Sequence, residues 1–307
     1  MSAAAVPATP NPLEAALALR AAGRLQDALN ALSTISEDTS EIYTLRAEIQ
    51  FALGRFHEAA GSYFTAVASE PENVLAQFNL GVCMQQLNRW DDAALAFERV
   101  LEIDPDRDDA RVGLGACLLR LKRPEEALAV FDACWSEAVR TRSDFGKAVA
   151  LQFLRRFDES EAAYQGLLQS GQQVEEVLTN LVALSAEIPD WEAVQHYASR
   201  LIELSPQCVP ALQGLAAVAL ERSDFGATVQ YCGRIVELAP DCMEALHNLR
   251  FATGQVMADL QKRTATQPPP GKIRHSRTLP KSRQQADRAD STHGSGASNS
   301  PEAQNLS

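Results

Sequence analysis

Apolar residues along most of this chain recur three and four positions apart, the spacing of one face of a helix, and not in the alternation of a strand. In the stretch Trp90–Ile103, Ala93, Phe97 and Val100 stand at i, i+4 and i+7. Just before it, residues 74–87 put Phe78, Val82 and Gln85 on one side of a helix and Leu80, Gly81 and Met84 on another. Asn88 and Arg89 separate the two runs, and Pro105 stops the second. The predicted unit is therefore helix, short turn, helix.

The same phrase returns along the chain. A mostly small residue in the second helix falls at Ala28, Ala59, Ala93, Ala127, Ser160, Val194 and Thr228, with spacings of 31, 34, 34, 33, 34 and 34. Gly81 and Gly115, with Ala47, Ala148 and Ala216, hold one equivalent place in the first helices. A helix interior accepts glycine there when another helix must approach closely. Residues 11–262 are thus predicted to hold about seven units and, after Pro240, one unpartnered helix that caps the last apolar face. Residues 1–10 are expected to be flexible. The periodicity disappears in residues 263–307, whose Pro, Ser, Gly and Gln content predicts a disordered tail.

This register resembles the tetratricopeptide repeat family, a 34-residue helix–turn–helix class. The matching residues are Leu80-Gly81, Met84, Ala93, Phe97 and Pro105 in the third unit, and Leu114-Gly115, Leu118, Ala127 and Phe131 in the fourth. Units six and seven keep Pro206 and Pro240, whereas unit five has Ser160 at the marker and no terminal proline. The resemblance implies an all-α tetratricopeptide-repeat solenoid, a right-handed superhelix with a concave face lined by the first helices. It also implies the groove-lining places: Phe78, Asn79, Val82 and Gln85; Val112, Ala116 and Leu119; Arg142, Phe145 and Val149; then Asn180, Gln213 and Asn248. Phe78 and Phe145 are expected to be more exposed than Phe97 and Phe131. Asn79, Asn180 and Asn248 share the sixth place, where asparagines in some members form a ladder that grips peptide backbone, but Gly113, Gly146 and Gly214 interrupt the series. The lysine–asparagine clamp that other members close on a terminal carboxylate is replaced by Leu75, Phe78, Asp109 and Val112.

Charge narrows the partner classes. Residues 1–263 carry 22 basic and 37 acidic side chains, a net of −15, and the remainder has six basic against three acidic. An acidic body disfavours general binding to nucleic acid or anionic lipid, and the tail interleaves no aromatic among Lys272, Arg274, Arg277, Lys281 and Arg283 for base stacking. The six cysteines show no C-x-x-C spacing, and neighbouring pairs such as Cys83 and Cys117 lie one repeat apart. Structural, reduced thiols and a cytoplasmic location are expected. No run approaches the ~20 apolar residues of a membrane span.

The chain shows no catalytic motif. Gly113 and Gly115 lack the third glycine of a dinucleotide loop, with Leu118 in its place. In "DPDRDD", Asp104, Asp106 and Asp108 have calcium-loop spacing, but Asp109 replaces the turn glycine and Gly115 the closing glutamate, so a solvated inter-repeat turn is predicted. The histidines form no metal-ligand pair. Asp91-Asp92 and Glu125-Glu126 read as acidic starts of second helices. The expectation is a non-enzymatic adaptor with no cofactor, metal or small-molecule substrate, holding a protein or peptide segment in the groove. Two alternatives stand beside it: a recruiting arm for a separately encoded enzyme such as a glycosyltransferase, and an anionic-surface binder acting through the basic tail.

Overall fold

The computed structural model describes residues 11–36 and 39–266. Among them fifteen α-helices follow one another and no strand occurs. They pair as α1 (Pro12–Ala21) with α2 (Leu25–Leu32), α3 (Ser40–Ala52) with α4 (Phe56–Ser69), and α5 (Val74–Gln86) with α6 (Trp90–Ile103). Next come α7 (Asp108–Arg120) with α8 (Pro124–Asp132), α9 (Arg140–Phe153) with α10 (Phe157–Gln169), α11 (Val174–Glu187) with α12 (Trp191–Leu204), and α13 (Val209–Glu221) with α14 (Phe225–Leu238). The last helix, α15 (Met243–Thr266), has no second helix after it. It continues four residues into the segment expected to be tail; residues 1–10 and the tail beyond 266 lie outside the described residues.

The seven marker positions explain the stacking. Ala28, Ala59, Ala93, Ala127, Ser160, Val194 and Thr228 are all fully buried. Where the marker is polar, its hydroxyl is satisfied: Ser160 donates to the Ala148 carbonyl (2.8 Å) and Thr228 to that of Asp224 (2.8 Å). Successive helices from α1 to α14 pack in chain order, and first helices also touch the next first helix, α5 with α7, α7 with α9 and α11 with α13. Within the unit ending at Asp259, these closer contacts make the first helices the inner layer of a solenoid.

Two kinds of turn join the helices. Inside six of the units the residue before the second helix's N-cap is left-handed: Gly23, Gly54, Asn88, Lys122, Arg155 and Ser223. The following N–H then reaches back to the first helix, as Arg89 does to Met84 O (2.9 Å) and Arg123 to Leu118 O (2.9 Å), closing the orphan carbonyls. Between units, α4, α6, α12 and α14 end at Glu70, Asp104, Ser205 and Ala239, each extended before Pro71, Pro105, Pro206 or Pro240.

The junction between units four and five lacks that proline and is built otherwise. Helix α8 is only nine residues long, and a 3-10 turn, Glu137–Val139, precedes α9. Asp108 holds the connector: the backbone N–H groups of Trp135 and Ser136 donate to its Oδ2 (2.9 and 2.6 Å), and Arg111 pairs with its Oδ1. The side chain is 2% exposed. This corrects the expectation of a solvated turn at Asp108, while Pro105 and Asp106 are exposed as expected. Burial raises the Asp108 pKa, but the two N–H donors and Arg111 outweigh it and hold the carboxyl below its ordinary value.

Candidate functional site

Three first helices and the ends of their turns frame an open groove of about 560 Å³. Of the residues predicted to line it, Gln85 comes from α5, Val112 and Leu119 from α7, and Phe145 and Val149 from α9. Ala116 and Arg142 also take part. The structure adds Trp90, Arg120 and Phe153, with the Phe131 ring in the floor. Phe153 is 59% exposed. Trp90 and Phe153 were passed over because they stand at a helix start and a helix end, outside the first-helix places that the family register marks. The available signal was helical spacing, Phe153 standing four residues after Val149 and eight after Phe145.

The remaining predicted residues lie elsewhere. Phe78 leans on Phe97 with ring centroids 5.5 Å apart, and the Arg107 guanidinium covers it from 5.2 Å. Val82 is half-buried against the same apolar cluster. Phe145 likewise meets Tyr164 at 5.9 Å. Phe78 and Phe145 are half-buried, whereas Phe97 and Phe131 are buried, the order expected from the register. Their packing means that truncating either ring removes an inter-helix contact as well as exposed surface.

Three of the sixth places follow the ring packed behind them. Asn79 hydrogen-bonds the Tyr63 hydroxyl. Gly113 instead admits the Phe97 ring, which a Cβ there would meet at 2.7 Å, and Gly146 admits Phe131, which a Cβ would meet at 2.3 Å. Asn180 occupies the next equivalent place and donates to the Glu176 carbonyl (2.8 Å). At Gly113 and Gly146 glycine leaves room for a phenylalanine ring, whereas a Cβ at Gly214 would meet Val182 at 2.9 Å, and the buried Tyr164 hydroxyl has no hydrogen-bond partner among the described residues. Gln85 is also engaged, donating to Gly113 O (3.2 Å) and Cys117 Sγ (3.2 Å). Gln213 is exposed with its amide 3.7 Å from Cys242 Sγ, and Asn248 is half-buried.

All six cysteines are free thiols. Burial pushes Cys83 and Cys117 up to about 11, which keeps both protonated and unreactive near neutral pH. Among the described residues no cluster of three or more His, Cys, Asp or Glu side chains has the geometry to hold a metal ion. None of the described helices is long and apolar enough to cross a membrane.

Comparison with known proteins agrees with this architecture. Family models described as tetratricopeptide repeat match residues 44–107 and 89–151. No curated protein matches the chain. Among solved structures, a tetratricopeptide repeat protein from Parabacteroides merdae superposes with a TM-score of 0.61 at 15% identity, covering 79% of this chain and 97% of that one. PilW, a type IV pilus biogenesis factor, gives a TM-score of 0.61 at 20% identity over 70% of this chain and 98% of its own. The Cut9–Hcn1 complex of the APC/C gives 0.59 at 14% identity over 80% of this chain and 49% of the matched one. At these identities the likeness is one of fold.

Proposed function

The chain belongs to the tetratricopeptide repeat family, and from that premise and the groove geometry we propose that it is a non-catalytic scaffold holding a protein segment between α5, α7 and α9. The fold is one that serves protein–protein interaction. One observation carries the finer reading: Val112, Leu119, Phe145, Val149 and Phe153 converge on a single open depression, with Phe153 more exposed than buried. Covering such side chains stabilises a complex by about 1.5–3 kcal/mol for each one fully buried. An extended or helical segment with two or three apolar anchors has the length and spacing to do so. Asn79, Gln85 and Asn180 are engaged within the protein, so gripping of backbone by amides contributes less to this reading than side-chain burial.

Affinities of display-selected peptides for the full chain and its variants test the proposal. Phe153→Ala and Val149→Asp are expected to weaken binding about tenfold or more, since buried anchors dominate interfaces. Phe153→Ala should melt like the parent, because its ring already meets solvent. Phe64→Ala, on a second helix and 65% exposed, is the control and should bind normally. Unchanged affinity in both groove variants would sink the proposal.

A further inference from the structure

The acidic body brings its own carboxylates to the other large surface depressions. In the one carrying Phe64 and Leu95, Arg89 is paired with Asp92, and Arg99 with Glu102 just outside it. In the one between α8, α9 and α10, Arg156 is paired with Glu159, and Lys147 lies against Asp132 and Asp144. The groove between α5, α7 and α9 is different. Arg120 and Arg142 are its charged lining residues and no carboxylate lines it. Both arginines are exposed, and neither has an ion-pair partner among the described residues.

Arg120 is also held in a receptive pose. Its guanidinium carbon sits 4.9 Å from the centroid of the Trp90 ring. This contact with the indole leaves the guanidinium without a carboxylate partner among the described residues, and its fork of N–H donors is of the kind that matches a carboxylate. Arg142 lies at the same opening, on the third residue of α9, beside the apolar wall of Phe145 and Val149. Apolar surface between two unpaired guanidinium groups is thus set into a body whose net charge is −15.

We infer that the occupant of this groove is a peptide segment whose apolar anchors are flanked by aspartate or glutamate, with Arg120 and Arg142 reading the carboxylates. The inference rests on the groove being the docking site proposed above. Its physical basis is charge complementarity: an acidic segment is repelled by the surface at large and attracted at this opening. That difference supplies selectivity and register more than raw affinity. Basic segments are drawn to the acidic outer surface and repelled at the groove.

Selection from a random peptide library displayed on phage, run in parallel on the full chain and on its Arg120→Gln/Arg142→Gln double variant, tests this. The parent should enrich Asp or Glu beside Leu, Phe or Met, and the double variant should enrich the apolar positions without the acids. For individual selected peptides, Glu→Gln should weaken binding to the parent by about three- to tenfold, the range of partly exposed charge-assisted contacts, and leave the double variant unmoved. Added salt should narrow that difference. Circular dichroism of the double variant should match the parent, both side chains being exposed. If acids are not enriched, or are enriched equally by the double variant, the inference fails. When such peptides still lose affinity with Val149→Asp, the groove reading survives that failure; when Val149→Asp has no effect, both fall. Self-association that Phe153→Ala and Val149→Asp dissolve would make a second copy the occupant and overturn the inference as well.

Discussion

Phe131 is held between two glycines. A Cβ at Gly115 would stand 2.6 Å from the ring, and one at Gly146 would stand 2.3 Å from its Cζ. The ring therefore cannot retreat from one helix without striking the other. Gly146→Ala is expected to cost about 1–3 kcal/mol as overpacking. Gly166 in α10 is exposed and a Cβ there meets nothing within 4 Å, so Gly166→Ala should stabilise by about 0.5–1 kcal/mol through helix propensity. Urea unfolding of the two variants checks both signs; two stabilising changes would contradict the ring placement. Gly115 was legible as a helix contact because it repeats Gly81. Gly146 was legible only as a repeat of Gly113 at the sixth place, because its reason lies in a ring fifteen positions earlier, on another helix.

At the scale of the element, the second helices of units one to five share an entry that periodicity alone did not expose. Their N-caps are Arg24, Arg55, Arg89, Arg123 and Arg156, each paired with the acid three residues on, Asp27, Glu58, Asp92, Glu126 and Glu159. The acid meets the positive end of its helix and offsets the cap's cation. In units six and seven Asp190 and Asp224 cap directly, accepting from Ala193 N and Ala227 N at 3.0 Å. The left-handed residue before each arginine need not be glycine. Lys122, with φ of 59°, is exposed and holds that conformation at a steric cost. Lys122→Gly should raise stability by about 0.5–1 kcal/mol after the greater freedom of glycine in the unfolded chain is subtracted. A drop in the unfolding midpoint would argue against the left-handed turn.

Across the described residues, buried apolar side chains fall into four clusters, of which the two larger reach from Ala47 to Phe131 and from Ala148 to Val218. The connector between them is held by Asp108. Asp108→Ala leaves the Trp135 and Ser136 N–H groups and Arg111 without their acceptor, so a loss of about 2–4 kcal/mol is expected near neutral pH. The carboxyl is depressed on folding, so its contribution is fully present above the ordinary carboxylate pKa of about 4 and declines as pH falls from there through the lower folded value. Denaturation of parent and variant should accordingly show a constant gap above about pH 5 that narrows on acidification below about pH 4. A gap that does not change with pH would show that packing, not charge, is what Asp108 supplies.

The sequence by itself determined the repeat, the helix–turn–helix unit, the register and the burial of every marker from Ala28 to Thr228. Those features depend on helical periodicity and on contacts between neighbouring units, both of which are written locally and repeated. Only the tertiary structure decided which side chains meet across the stack. Asp108 looks like one acid among several in "DPDRDD" until backbone donors 27 and 28 residues later reach it. The family register marks Phe78 as a groove ring and does not mark Phe153, yet the first leans on Phe97 while the second stands 59% exposed at the groove. Arg120 and the Trp90 ring, on different helices, meet only in the folded chain. A side chain's place along a helix is a matter of spacing, but its neighbours are set by how the next helix tilts and how far its backbone can approach.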